Sequence, residues 1–233
     1  MKFNFLTICI ALLALTSCAP KNEMKLTGTV DGLKKGTLIL QKIEDSVLVS
    51  MDSVAMTGDE NFEFSVAVPS PQLLFLYLRL KNGDLLDERI PFFAEEGELT
   101  ITTTLEEFGA EYNVTGSQNH EKFEEYKDLM QRFANKNLDI VSLKLKALAE
   151  KNDSVFNVLQ KQEESVLRSR YLASVNYALS QKDYEISPYI MVNEIQGITQ
   201  KYLDTVYSTL PQNIKNSKYG MDLESLIKQQ AAN

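Results

Sequence analysis

The fold changes character within residues 114–133, which read VTGSQNHEKFEEYKDLMQRF. Before Gly116 and Ser117 the chain consists of short β-rich runs. After them, the apolar residues Phe123, Tyr126, Met130 and Phe133 recur at steps of three and four, which places them on one face of an α-helix. The sequence therefore predicts an α+β chain, with a β-domain over residues 24–116 and an all-α helical domain over residues 117–233.

Turn residues divide the first of these segments into strands. Asp31-Gly32, Asn82-Gly83 and Glu96-Gly97 are typical of tight turns between strands. Seven or eight strands at roughly ten-residue spacing predict an antiparallel β-sandwich or an open barrel. Parallel pairs are not expected, because they need a crossover that is usually helical, and no helical pattern fits here. The clearest predicted strands cover residues 25–30, 37–40, 47–49, 62–66, 74–78, 90–93 and 99–102.

A second apolar stripe follows the first in the helical segment. It consists of Leu138, Val141, Leu145 and Leu148, again at helical spacing. The polar residues 135–137 lie between the two stripes and predict a turn. We therefore expect two short helices that pack as a hairpin, with both stripes in the core.

The remaining helices are predicted from their start signals. Asp153-Ser154 opens a long helix, and Ser187-Pro188 is a suitable N-cap and first-turn pair for the next one. Further helices are expected over residues 199–210 and 218–229. The long helix should direct the following apolar residues towards a core: Val155, Leu159, Val166, Tyr171, Val175 and Ala178.

The N-terminus predicts export and lipid attachment. Lys2 precedes an apolar run over residues 3–15, which is shorter than the roughly 20 residues of a membrane-spanning helix. Residues 15–18 read LTSC and resemble the lipobox of bacterial lipoproteins, in which the cysteine thiol accepts a diacylglycerol and the new amino group is acylated. We expect a signal peptide over residues 1–17, lipidation at Cys18 and a linker over residues 18–23. The alternative is an ordinary signal peptide with a cysteine nearby.

Charge and cysteine content exclude several classes of function. Cleavage before Cys18 removes Lys2 and leaves 23 Lys and Arg against 32 Asp and Glu, a net charge of −9. That charge opposes binding to nucleic acid. Cys9 lies in the predicted signal peptide, so a lipidated Cys18 leaves no free thiol for a disulfide, a redox cycle or a metal. We predict no cofactor and no metal site.

Several short motifs in order resemble a known type of envelope protein. Residues 28–30 (GTV), 62–64 (FEF), 91–93 (PFF) and 114–117 (VTGS) are similar to an N-terminal domain of unknown function. That domain precedes the thioredoxin-like domain in envelope lipoproteins of the TlpA and ResA type, and residues 217–220 (SKYG) resemble their helical segment. The resemblance implies an envelope location and a two-part scaffold. Because the chain has no Cys-x-x-Cys motif, thiol oxidoreductase activity is not carried over.

The candidate reactive residues are few. His120 is the only histidine, and without a nucleophile motif or second ligand we expect it to cap a helix or lie on the surface. Acidic pairs are expected on solvated turns and faces: Asp59-Glu60, Asp87-Glu88, Glu95-Glu96, Glu106-Glu107 and Glu163-Glu164. The C-terminal tyrosines are expected to pack at the core margin, an exposed subset favouring an interface: Tyr171, Tyr177, Tyr184, Tyr189, Tyr202, Tyr207 and Tyr219.

These observations support two classes of function. The first is a non-enzymatic lipoprotein, anchored through Cys18 in the outer membrane and facing the periplasm, that binds a protein such as a separate thioredoxin-like or outer-membrane protein. The second is an envelope enzyme whose carboxylates or His120 converge between the two domains with perturbed pKa values. A third possibility is that the chain is a degenerate relative of thiol-disulfide oxidoreductases. Its chemistry would be the same as that of the non-enzymatic lipoprotein.

Overall fold

The computed structural model describes residues 22–44 and 47–232. The predicted signal peptide, Cys18 and most of the predicted linker lie outside these residues. Eight strands come first, followed by six α-helices. The strands are β1 (Glu23–Asp31), β2 (Lys35–Glu44), β3 (Val47–Thr57), β4 (Asn61–Ala67), β5 (Gln72–Leu80), β6 (Leu85–Ala94), β7 (Gly97–Thr104) and β8 (Tyr112–Thr115).

The strands form two four-stranded sheets that enclose one core. One sheet has the order β4-β1-β7-β8 and the other β3-β2-β5-β6. Apolar residues alternate along β1, where Leu26 and Val30 are fully buried, and they meet Leu38, Leu76 and Phe92 from the other sheet. The predicted α+β class, with a β-sandwich before a helical region, is confirmed.

One strand pair corrects the expectation of purely antiparallel pairing. β1 and β7 run parallel, with Leu26 opposite Leu99 and Gly28 opposite Ile101. The other five pairs are antiparallel. No helix is needed for this parallel pair, because the chain passes from β4, the other neighbour of β1, through β5 and β6 of the facing sheet before it returns as β7.

The helices follow β8 directly. They are α1 (Gln118–Ala149), α2 (Asp153–Ser180), α3 (Ile186–Tyr189), α4 (Gln200–Thr209), α5 (Gln212–Lys215) and α6 (Lys218–Ala231), with a π-helical turn at Ile190–Glu194. Ser117 caps α1, because its hydroxyl accepts from the His120 backbone N–H at 3.0 Å. Asn152 caps α2 through Val155, so the predicted start of the long helix is confirmed.

The predicted turn at residues 135–137 is wrong. α1 continues through it as one helix of 32 residues, about 48 Å long. Asn135 accepts a hydrogen bond from Gln131, one turn earlier on the same helix, at 2.8 Å. The polar residues there are compatible with helix, and the reversal occurs at residues 150–152 instead. The hairpin therefore consists of α1 and α2.

A second prediction fails at Ser187-Pro188. Both residues lie inside α3, and Ser187 caps no helix. Its buried hydroxyl donates to the Ala178 carbonyl at 2.7 Å and joins α3 to the end of α2. The helices expected over 199–210 and 218–229 are confirmed as α4 and α6.

The helical core is built on the outer face of the second sheet. Phe93 of β6 is fully buried among Phe123, Tyr189 and Tyr219, and Leu73 of β5 packs beside it. The Leu73 backbone N–H also donates to the Tyr219 hydroxyl at 3.0 Å. The sheet thus supplies one wall of the helical region. None of the described helices is long and apolar enough to cross a membrane.

Candidate functional site

The junction between sandwich and helices gathers two carboxylates around Asn119. The Asn119 side-chain N–H groups donate to Glu95 and to Glu185, each at 2.9 Å, and its carbonyl accepts from the Ile186 backbone N–H at 3.0 Å. Glu95 also accepts from the Gln118 backbone N–H at 2.6 Å, at the positive end of α1. Burial raises the pKa of Glu185, and the nearby charge of Glu95 adds to this. The cluster joins β6, α1 and α3.

His120 lies beside this cluster and is 2% exposed. Its Nδ1 accepts from the Phe93 backbone N–H at 3.4 Å, and its Nε2 lies 3.4 Å from a carboxylate oxygen of Glu124. Burial lowers the pKa of His120 to about 4, although Glu124 acts in the opposite direction. The ring is therefore neutral at pH 7, with both nitrogens engaged, and it fastens α1 to β6. The expected placement at the start of a helix is confirmed, but His120 is buried rather than on the surface.

This arrangement resembles what an enzyme between the two domains would require, since His120, Glu95 and Glu185 converge there. Its polar atoms nevertheless bind one another and the backbone of α1, α3 and β6. Every group described has a structural partner, and the histidine is sealed from solvent. The junction therefore has a structural role, and we call its side chains Glu95, Asn119, His120 and Glu185 the clasp.

Acid is expected to weaken this clasp. The unfolded chain has a His120 pKa near 6.5 and the folded chain one of about 4, so the unfolded chain binds more protons between these values. Stability should be complete above pH 6.5 and fall by up to about 3 kcal/mol as the pH drops to about 4. Urea unfolding at pH 7, 5.5 and 4.5 would measure this against a His120→Asn control, whose Oδ1 can still accept from Phe93.

The raised pKa of Glu185 acts with the opposite sign, because a folded state that holds its proton more tightly gains stability in acid. That contribution is common to both proteins and cancels in the difference between their pH profiles. Parallel profiles for wild type and His120→Asn would contradict the assignment of a depressed pKa to the histidine.

The other acidic pairs are dispersed, as expected. Glu60 lies at a turn, where its carboxylate accepts from Lys34 at 2.6 Å and from the Gly32 N–H at 3.1 Å. Asp87, Glu88, Glu106 and Glu107 are exposed. Glu163 is the exception, since it pairs with Lys144 between α1 and α2 with both side chains largely buried. Within residues 22–44 and 47–232, no three His, Cys, Asp or Glu side chains are placed to hold one metal ion.

The tyrosines of the helical region pack as predicted, and none of the seven is exposed. Tyr189 and Tyr219 are buried with ring centroids 5.0 Å apart. Tyr177 donates to the Lys122 carbonyl at 2.7 Å, and Tyr171 accepts from the Thr199 N–H at 3.1 Å. The five tyrosines other than Tyr189 and Tyr219 are half-buried, so the tyrosines lie in the core and at its margin rather than on an exposed face.

Most of the exposed large apolar side chains lie instead on the outer part of the α1–α2 hairpin, which we call the arm (residues 133–168), and a smaller group, Ile43, Val47 and Leu48, lies where β2 meets β3. A small core of Ile140, Ala147, Leu159 and Val166 holds its two helices together, flanked by Phe133 and Phe156. This core is separate from the sandwich core and from the helical core on the sheet. The arm thus has one face for its own pairing and other faces open.

The second predicted stripe lies on an open face of the arm. Leu138, Leu145 and Leu148 are 68%, 63% and 61% exposed, and Val141 is half-buried. We call these four residues the α1 stripe. The expectation that they enter the core is wrong, because α1 turns Asn137, Ile140, Lys144 and Ala147 towards α2 instead. The residues turned towards α2 have the same helical spacing as the α1 stripe, but two of them are polar. A prediction based on hydrophobicity therefore favours the stripe.

Two clefts continue from the base of the stripe. The first, of about 390 Å³, is lined by Phe133, Leu138, Val141, Leu167 and Arg170 among others. The second, of about 450 Å³, shares Leu167 and Arg170 and is more polar. Asn137 also lines the first cleft, and its side-chain oxygen is buried with no hydrogen-bond partner among the described residues. The apolar face therefore extends from the tip of the arm towards its base.

Comparison with known proteins identifies one domain. Residues 24–123 match the family described as a domain of unknown function (DUF4369). The match covers the sandwich, the clasp residues Asn119 and His120, and the start of α1, and it ends before the arm. No curated protein matches the chain.

Proposed function

We propose that this chain is a lipid-anchored envelope protein that binds another protein through the arm and catalyses no reaction. The observation that carries the proposal is the α1 stripe, three of whose leucines are more than 60% exposed on a hairpin with its own core. Contiguous exposed apolar surface of this kind is typical of interaction sites. The clasp supports the non-enzymatic part, because its polar groups are consumed in joining the sheet to the helices.

Support for the anchor comes from sequence. The lipobox-like residues 15–18 follow a short apolar run, and β1 begins at Glu23, five residues after Cys18. A protein held by lipid at Cys18 would present the sandwich near the membrane, with the partner bound on the helical side. The resemblance to TlpA and ResA type lipoproteins favours an envelope location. Glu23 is the single acid within five residues of Cys18, which favours an anchor that faces the periplasm.

Replacement of Cys18 tests the anchor. Cells that express the wild-type chain and are fed a fatty-acid probe should label the protein, whereas Cys18→Ala should lose the label and leave the membrane fraction. The Cys18 sulfur is the atom that accepts the diacylglycerol, and alanine has no group that can do so. Ser17→Ala is the matched control, since it keeps a small residue before the cut. Equal labelling of wild type and Cys18→Ala would refute the anchor.

Site-specific photo-crosslinking tests the binding function. A photoreactive residue at Leu145 should capture a protein in intact cells, because Leu145 lies on the α1 stripe. Leu85 on β6 is the control, being 47% exposed on the sandwich and away from the arm. Capture at Leu145 and not at Leu85 is the expected result. Absence of any captured protein at Leu145 would reject the binding function.

A further inference from the structure

One face of α1 carries no charge over most of the arm. From Gln131 to Ala149, a distance of about 27 Å, the α1 stripe is accompanied at helical spacing only by uncharged residues. Besides the stripe, this face contains Gln131, Ala134, Asn135, Ser142 and Ala149, all of them exposed. A surface helix normally carries charged residues on its outward face. The departure from that pattern indicates that this face is covered in the working protein.

Charged residues border this face on the side away from α2. The three nearest to it are Arg132, Asp139 and Lys146, and all three are exposed. In the described part of the chain, none of them lies within 4.0 Å of an opposite charge. These charges are therefore available to a partner.

The apolar residues and the bordering charges are arranged about the same centre, Leu143. Leu138 and Leu148 lie five residues before and after it, and Val141 and Leu145 lie two before and after. The charges are reversed in sign about this centre. Asp139 lies four residues before it, and Lys146 lies three residues after it.

Only one kind of self-pairing fits this pattern. Two copies of α1 that pack antiparallel, about a two-fold axis on the stripe side of the helix at the level of Leu143, bring Leu138 of one copy onto Leu148 of the other and Val141 onto Leu145. They also place Asp139 of one copy near Lys146 of the other. A parallel pair would place each charge against the same charge, which is unfavourable. A two-fold interface must be self-complementary in this way.

We propose that the partner of the arm is a second copy of this chain, bound antiparallel through the uncharged face of α1. This proposal rests on the binding function proposed above and names its partner. The face is one helix wide, so it is smaller than the roughly 800 Å² per partner of a stable interface. We therefore expect a weak dimer that forms when the chain is concentrated, as attachment to a membrane would concentrate it.

Engineered cysteines test the geometry in the full chain. Ser142→Cys lies beside the proposed axis, so two copies of it would be adjacent. Ala149→Cys lies on the same face but six residues from the centre, which separates its two copies by about 18 Å. After mild oxidation of membranes from expressing cells, Ser142→Cys should give several-fold more covalent dimer than Ala149→Cys. The unsubstituted chain, whose lipidated form is expected to have no free thiol, is the background control.

Co-expression gives the complementary result. Asn135→Cys and Ala149→Cys, carried on differently tagged copies, should crosslink to each other although neither crosslinks efficiently to itself. Equal self-crosslinking of Ser142→Cys and Ala149→Cys would indicate a parallel pair and overturn the proposal. Absence of covalent dimer for every variant would overturn it as well.

Charge exchange provides an independent measurement. Asp139→Lys places two lysines together at both ends of the interface and should weaken the dimer about tenfold in sedimentation of the detergent-solubilised chain. Adding Lys146→Asp to the same chain should restore the wild-type affinity. An unchanged affinity for Asp139→Lys would contradict the register.

The outcomes separate the two proposals. If photo-crosslinking from Leu145 captures a different protein and no cysteine variant forms a dimer, the binding function stands and self-association fails. If Leu145 captures no protein, both fail. If the captured protein is this chain and only the antiparallel cysteine pairs react, both are supported.

Discussion

Replacing Phe93 by alanine is expected to lower the free energy of unfolding by about 3 to 5 kcal/mol, as for other buried phenylalanines. The ring is fully buried and makes edge contacts with Phe123 at 5.7 Å, Tyr189 at 5.2 Å and Tyr219 at 6.0 Å between centroids. Removing it leaves a cavity where the sheet meets α1, α3 and α6. Urea unfolding at pH 7 measures the loss.

Phe92 is the matched control for this prediction. It is also fully buried, but adjacent strand residues face opposite sides, so Phe92 enters the sandwich core. Both alanine variants should be destabilised, with different local effects. Hydrogen exchange should rise first in the helices for Phe93→Ala and in the strands for Phe92→Ala. A loss below about 1 kcal/mol for Phe93→Ala would show that the helices are not anchored by this residue.

The β-region could be predicted from the sequence in most respects. Turn residues and alternating apolar positions located the strands, and the sandwich they predicted is present. The parallel pairing of β1 with β7 could not be predicted, because it depends on which strands of the two sheets become neighbours. Local patterns contain strand positions and turns but not the order of strands in space.

The helical region shows where hydrophobic spacing misleads. Residues 137–148 contain two sets of side chains at the same helical spacing. The structure buries the set with Asn137 and Lys144 and exposes the α1 stripe. Lys144 is acceptable there because it pairs with Glu163 and with Gln160 on α2. The choice between the two faces depends on the partner helix. The α1 stripe, which its spacing alone predicts to be buried, is therefore the exposed face.

Only the part of the clasp at the start of α1 could be predicted from the sequence. Ser117 and His120 were placed correctly at the start of α1, but nothing in the sequence joins Glu95 to Glu185, which are 90 residues apart. Asn119 brings them together because β6, α1 and α3 meet at this point. The DUF4369 match includes Glu95 and Asn119 but not Glu185. The clasp therefore connects the matched domain to the helices that follow it.

Replacing Gly116 by alanine is expected to destabilise the protein by about 3 kcal/mol or more, because two costs combine at one residue. Gly116 has a φ of +95°, a backbone conformation that side chains with a Cβ rarely adopt. A Cβ there would also lie 2.1 Å from the Glu98 carbonyl oxygen. That oxygen belongs to β7, which is paired on both sides, so it cannot move away without disturbing the sheet.

Gly83→Ala is the matched control, because it has the cost of the backbone conformation without the steric contact. Its φ is also +95°, but no atom lies within 4 Å of the position of its Cβ, in the turn between β5 and β6. Gly83→Ala should therefore lose only the roughly 1 to 2 kcal/mol of the backbone conformation. The excess loss in Gly116→Ala, measured by urea unfolding, reports the contact with β7. Because Gly116 precedes the Ser117 cap, the same variant should raise hydrogen exchange at the start of α1. Equal losses for the two variants would show that β7 yields to the added methyl group and that the junction is softer than its contacts imply.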